Sequence, residues 1–265
     1  MKQKNGQMAA IIKKDIRGVA ANKRMLAALL VVPLVMTILL PTIFILSFHF
    51  IPQEAGDLTR LLEMLPLGSR EEISLYTLIH LMLNFLLPVF FLMIPLMASS
   101  VTAASSFVGE KEKRTLETLL YCPLSLGQIF RAKVAASFLL GMFVSLVSFA
   151  AMLAAVEIET VLILQRPVLP DAKWILVLLL VSPAVSLIAI TLTVRFSAKA
   201  QSAEDAQQGA VFLLLPLILL IVGQFTGLFL LSGWILLLIG LGCAGLGTVL
   251  LRQAMRNFTY EKLLG

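Results

Sequence analysis

Charge is scarce in this chain: Asp, Glu, Lys and Arg make up 14% of its 265 residues, against 59% hydrophobic ones. Soluble domains carry about 25% charged residues, so a freely soluble globular protein is excluded. Cysteine is nearly absent as well. Cys122 and Cys243 stand far apart, which leaves no disulfide framework and no cysteine metal site. The two histidines, His49 and His80, fall near the ends of the first two apolar runs. They read as interfacial polar groups within reach of one another, not as metal ligands.

Catalytic motifs are missing too. The sequence holds no GxxxxGK[ST] phosphate loop, so it does not bind ATP by that device. It has no HExxH zinc motif, no GxSxG elbow and no paired acidic cluster of the kind that holds divalent metal in lipid-phosphate enzymes. No catalytic, cofactor or metal residue is therefore assigned. A membrane-embedded lipid enzyme would need a polar cluster that is not here.

What is present is long charge-free runs, at 25–53, 73–109, 134–156, 174–194 and 206–251. A helix needs about 20 apolar residues to cross about 30 Å of hydrocarbon. The last run exceeds one crossing and folds back at Ser232-Gly233, giving spans at 209–231 and 233–251. The fold class predicted is all-α and polytopic, with six transmembrane helices in a single domain, 1–265. Seventeen Lys and Arg fall in 1–24, 110–133, 195–205 and 252–265, and four in 54–72 and 157–173. Basic residues accumulate in cytoplasmic loops, so both termini are expected in the cytoplasm of a multi-pass cell-membrane protein. The net charge of +6 is then a topology signal and does not call for nucleic acid. The basic N-terminus is too long for a signal peptide and lacks a small-residue cleavage pattern, so it is expected to remain.

Residues 8–24 place Met8, Ile11, Ile12, Ile16 and Val19 on one helical face, away from Lys13, Lys14 and Arg17. That spacing predicts an interfacial helix. The run at 73–109, about 55 Å long at about 1.5 Å per residue, overshoots the bilayer and carries the charged segment 110–133 out of it. Thr115 to Leu120 is helical in pattern, Pro123 stops it, and Ser125 with Gln128 has capping-box spacing for the next helix. Such an amphipathic insert suits docking on a partner. Within the spans, Thr37, Asn84, Gln224 and Thr226 are the candidate substrate-path residues, the rival role being hydrogen-bonded glue. No Asp, Glu, Lys or Arg falls deep in a predicted span, which argues for an external energy source over ion coupling. Gly223, Gly227, Gly240, Ala244 and Gly247 permit close helix approach, within one chain or across a dimer.

These residues resemble a family. Lys13-Lys14-Asp15, Asn22-Lys23-Arg24 and Val32-Pro33-Leu34 are similar to the entry of ABC-2 type transporter permeases. Glu110 to Leu120, with Pro123-Leu-Ser125 and Lys133, resembles that family's "ExExxTxExLLxxPxS…K" loop, with Arg114 where the family often has Gly. Ser202-Ala-Glu204-Asp205-Ala-Gln207 is similar to a segment of its sodium-extruding branch. The resemblance implies the membrane subunit of an ATP-driven exporter, paired with a second permease copy or a close relative. Two separate ATP-binding subunits would hold the ATP and Mg. Glu110, Glu112, Thr115, Leu116, Glu117, Leu119, Leu120 and Pro123 would couple to them. The leucines would bury in a groove of the ATPase and the glutamates would pair with basic residues at its rim. A non-transporting membrane sensor or assembly subunit of the same fold is the alternative. Cargo stays open among sodium, peptides, drugs and lipid-linked glycans.

Overall fold

The computed structural model describes residues 2–50, 75–112, 124–197, 200, 202–212, 214–225 and 233–256. Among them there is helix and no strand. In hydrocarbon every backbone N–H and C=O must be satisfied within its own segment, which only a helix achieves without a closed barrel. The main helices are α1 (Lys2–Ala21), α2 (Lys23–Phe50), α3 (Leu75–Phe107), α4 (Leu126–Leu164), α5 (Lys173–Ser197), α6 (Ala203–Val211), α7 (Leu214–Phe225) and α8 (Gly233–Arg256). Five of these, α2, α3, α4, α5 and α8, are long and apolar enough to cross a membrane, and α7 contributes a shorter apolar stretch, Leu214–Gly223. The protein is an all-α multi-pass membrane protein.

Several boundaries differ from those read in the sequence. The predicted span 134–156 is the middle of a single 39-residue helix, α4. Neither Lys133 nor Glu157 stops it, because a charge on a helix flank does not break the backbone pattern. The expected loop 157–173 therefore shrinks to the stretch after Leu164, where Gln165 closes α4 in the left-handed conformation at φ 56°. The expected helix 8–24 is α1, which runs from Lys2 to Ala21, and Lys23 and Arg24 belong to α2. Asn22 separates the two, its Oδ1 accepting from the Met25 N–H at 3.2 Å. The predicted span 209–231 is covered by the end of α6, by α7 and by 226–232, the last outside the described residues. At the other junction, the Ser125 N–H donates to Gln128 Oε1 at 3.0 Å and completes the capping box that opens α4. The Ser202–Gln207 segment has a local role of the same kind. Ser202 and Asp205 exchange hydrogen bonds at 3.2 Å and cap α6.

Two π-turns interrupt the long helices, at Met82–Leu86 in α3 and Val177–Val181 in α5. Each ends two residues before a proline, Pro88 or Pro183. A proline ring collides with the carbonyl four residues back and supplies no N–H to it. Widening the preceding turn accommodates both problems. In α3 the Leu87 N–H reaches the Met82 carbonyl, five residues back. The carbonyl of Leu83, which an α-helical Leu87 would have taken, is then open, and Trp174 Nε1 donates to it at 3.2 Å. Trp174 also packs edge-on against Phe91 and tilted against Phe149, with centroids 5.5 and 5.1 Å away. One indole thus ties α3, α4 and α5 together near the His80 end of the bundle.

Helix approach is closest where the glycines fall. A Cβ on Gly141 of α4 would overlap the hydroxyl of Ser99 on α3 and lie 3.3 Å from the Ser99 Cα. On α8, Gly240 faces Leu180 and Gly247 faces Leu187 and Ile188, all of α5. The question left open by the sequence is answered for these two glycines: they pack inside the chain.

Candidate functional site

The site is built where α1, α3 and α4 meet at the charged end of the bundle. Helix α3 ends at Phe107, and a single helical turn, Gly109–Glu112, carries Glu110 back toward the helices. Glu110 is buried, its side chain 10% exposed, and its carboxylate is held between two ammonium groups. Lys14 of α1 lies 2.6 Å from Oε1 and Lys133 of α4 lies 2.9 Å from Oε2. These three charges join three helices at one point.

Lys133 is the unusual member, since a lysine side chain 3% exposed requires full compensation for its lost hydration. It finds this in the Glu110 carboxylate, in the Ser106 carbonyl to which it donates, and in the Phe107 ring, 5.5 Å from Nζ to the centroid. Ser106 lies in the last turn of α3, where carbonyls lack helical partners and the helix dipole favours a cation. Lys133 therefore caps the C-terminus of α3 from the neighbouring helix. Beside it, Ser106 Oγ donates to Asp15 Oδ2 of α1 at 2.6 Å. Below these polar contacts, Ile11 of α1 is buried against Ile129 and Ala132 of α4. Helix α1 is thus docked on the bundle by an apolar contact and a polar one. The sequence pattern places Ile11 on the apolar face and Lys13-Lys14-Asp15 in the family-like entry, without joining Lys14 and Asp15 to Glu110 and Ser106. Their signal was Lys14-Asp15 at one helical turn from Ile11.

Glu110 was expected to pair with a basic residue at the rim of a partner. Its carboxylate is already taken by Lys14 and Lys133, because Gly109–Glu112 turns it inward. Glu112 ends that helical turn, and its side chain lies outside the described residues. Thr115, Leu116, Glu117, Leu119, Leu120 and Pro123 also lie outside them.

Of the candidate path residues, Thr37 and Asn84 have described side chains, and each makes hydrogen bonds of its own. Thr37 is buried in α2 and donates to the Pro33 carbonyl at 2.9 Å, so its hydroxyl is spent on its own helix. Asn84 sits in the π-turn of α3, donates to the His80 carbonyl at 3.2 Å and accepts from the Asp171 N–H at 2.7 Å. It braces the chain between α4 and α5 against α3, the glue role open to a lone polar residue in a span. Gln224 is in α7, its side chain outside the described residues, as is all of Thr226. His80 does not meet His49. It stacks on Tyr76 and places Nε2 3.4 Å from Asp171 Oδ1, while His49 packs against Phe50. Among the described residues no group of His, Cys, Asp or Glu is arranged to hold a metal ion.

A multi-pass helical bundle with a polar clamp at the charged end of its helices is the architecture of a membrane component. Residues 72–255 match the family model described as ABC-2 family transporter protein, and the chain belongs to that family. It is a permease subunit of a family whose members normally work with an ATP-binding subunit. None of the curated proteins matches the chain.

Proposed function

We propose that this chain forms the translocation path of an ATP-driven exporter, with six spans, both termini in the cytoplasm, and the fifth span built on α7. It works beside a second permease copy or a close relative. Two ATP-binding subunits bind the ATP and Mg and dock on the insert 110–133. Leu116, Leu119 and Leu120 form the apolar contact, and Glu112 and Glu117 the charged rim around it. The observation that carries the reading is the ion pair between Glu110 and Lys133, the first and last residues of that insert. A push on the insert then reaches α3 and α4 together, and reaches α1 through Lys14. Binding energy released at the partner can shift the bundle only through such a differential contact. The short segments 54–72 and 165–172 suit export better than capture of an external substrate.

The test is affinity purification of the tagged chain from native membranes, with an ATPase assay on the eluate. An ATP-binding subunit with vanadate-sensitive turnover should accompany the wild type. The double variant Leu116→Asp, Leu120→Asp should lose it while still entering the membrane. A wild-type chain that purifies alone without hydrolysis, or a double variant that keeps both partner and turnover, overturns the reading.

A further inference from the structure

Helices α2 and α3 help to wall two cavities, one above the other, and the linings change character between them. The lower, about 280 Å³, adjoins the Glu110 clamp and includes Lys14, Asp15, Asn22, Thr102 and Ser137 in its wall. The upper, about 250 Å³, is walled by apolar residues such as Leu29, Met36, Met97 and Met152, with Thr37 its one polar residue. Thr37 has no hydroxyl hydrogen to offer a ligand, because it donates that hydrogen to the Pro33 carbonyl. The two cavities adjoin: Met25 lines the lower and Ala28, one turn on, the upper, while Thr102 and Val101 divide them on α3.

The polar groups of the lower cavity are unevenly matched. Glu110 is bracketed by two lysines, whereas Asp15 receives a hydroxyl from Ser106, which Lys133 Nζ approaches to 3.4 Å, and makes no direct ion pair among the described residues. Ser137, 1% exposed, has a hydroxyl with no hydrogen-bond partner among the described residues. Arg17 precedes the wall residue Gly18, and Lys23 and Arg24 follow Asn22, all three exposed. The result is a carboxylate without a direct ion pair among the described residues inside, a basic rim outside, and an apolar slot one turn further along the same helices. The cavity lies where the charges of α1 and early α2 give way to the charge-free run of α2, the depth of lipid headgroups.

We propose that the two cavities together bind an amine-bearing phospholipid from the leaflet at the Glu110 end. Its ammonium sits against Asp15, its phosphate faces Lys14 and the Arg17–Arg24 rim, and one acyl chain fills the upper slot. The assignment concerns a ligand of this chain itself and does not depend on ATP-driven export.

The full-length chain, purified with whatever subunits accompany it, is equilibrated with mixed vesicles of phosphatidylethanolamine and phosphatidylglycerol, and the retained lipid is read by mass spectrometry. The wild type should enrich phosphatidylethanolamine several-fold. Asp15→Asn should abolish that enrichment. Met36→Trp, at a half-exposed position of the upper wall, should lower total retained lipid. Gel filtration and circular dichroism confirm that both variants are folded. Equal retention of the two lipids by the wild type, or unchanged retention in both folded variants, overturns the proposal. Full displacement by soluble phosphoethanolamine also overturns it, by showing a site for a soluble amine phosphate and not for a lipid.

Discussion

Lys133 Nζ and Glu110 Oε2, at the two ends of the charged insert in sequence, stand 2.9 Å apart, and both side chains are nearly excluded from solvent. Removing one member of such a pair strands the other charge, which costs about 3–5 kcal/mol. Glu110→Gln and Lys133→Ala should each lower the thermal unfolding temperature of the detergent-solubilised protein strongly. Lys14→Ala should lower it little, because the Lys14 side chain is 56% exposed and an exposed ion pair is worth about 0–1 kcal/mol. The exchange Glu110→Lys with Lys133→Glu should recover only part of the loss, since a glutamate at 133 no longer caps the Ser106 carbonyl. Equal losses at Lys14 and Lys133 would contradict this division of roles.

Gly141 is required by the approach of α4 to α3. An alanine there collides with Ser99, whose Cβ and Cα would be 3.2 and 3.3 Å from the new methyl. Overpacking of this kind costs about 1–3 kcal/mol. Gly242→Ala and Gly245→Ala are the contrast, since nothing lies within 4 Å of a Cβ at either. Alanine favours a helix over glycine by about 1 kcal/mol, so these two should be neutral or slightly stabilising. Thermal scans of the three variants side by side decide the matter.

Much of the fold was legible in the charge pattern, because hydrocarbon tolerates so few charges that gaps between them locate helices. The limits of α4 were not legible, for the same reason inverted: Glu157 and Glu159 look like loop residues, yet sit on a helix. Glu110 was read as facing a partner because its neighbours are charged and amphipathic. Its inward turn depends on Lys14 and Lys133, which lie far off in sequence. The π-turns left a trace in Pro88 and Pro183, but a proline says only that the helix must adjust, not how. Of the candidate path residues, Asn84 is a buried polar group of α3. Its partner, the Asp171 backbone N–H, is invisible to any reading of side chains.

The π-turn in α3 gives Trp174 a specific partner, and the two parts of its role are separable. Trp174→Phe keeps a ring against Phe91 and Phe149 but leaves the Leu83 carbonyl bare. A buried acceptor left unsatisfied costs about 1–3 kcal/mol. Trp174→Ala loses the aromatic packing as well, and a large aromatic truncation in a core costs about 3–5 kcal/mol. Stability should fall in the order wild type, Phe, Ala. A phenylalanine variant as stable as the wild type would mean that the indole N–H contributes nothing.

At the same end of the bundle, Thr42 of α2 donates to Glu159 Oε1 of α4, while Glu159 Oε2 is buried with no hydrogen-bond partner among the described residues. A carboxylate solvated on one oxygen only is poorly compensated, because burying charge without full pairing is costly. Glu159→Gln keeps an oxygen for the Thr42 hydroxyl and removes the charge, so it should leave stability unchanged or raise it. Thr42→Val removes the donor and leaves both oxygens bare, with an expected loss of about 1–3 kcal/mol. In the Glu159→Gln background the same Thr42→Val change should cost less, since a neutral amide tolerates the loss of its donor better than a carboxylate does. Unfolding temperatures of the four proteins in this double-mutant cycle give the coupling directly. A Thr42→Val penalty identical in both backgrounds would show that the charge of Glu159 is not what makes the threonine matter.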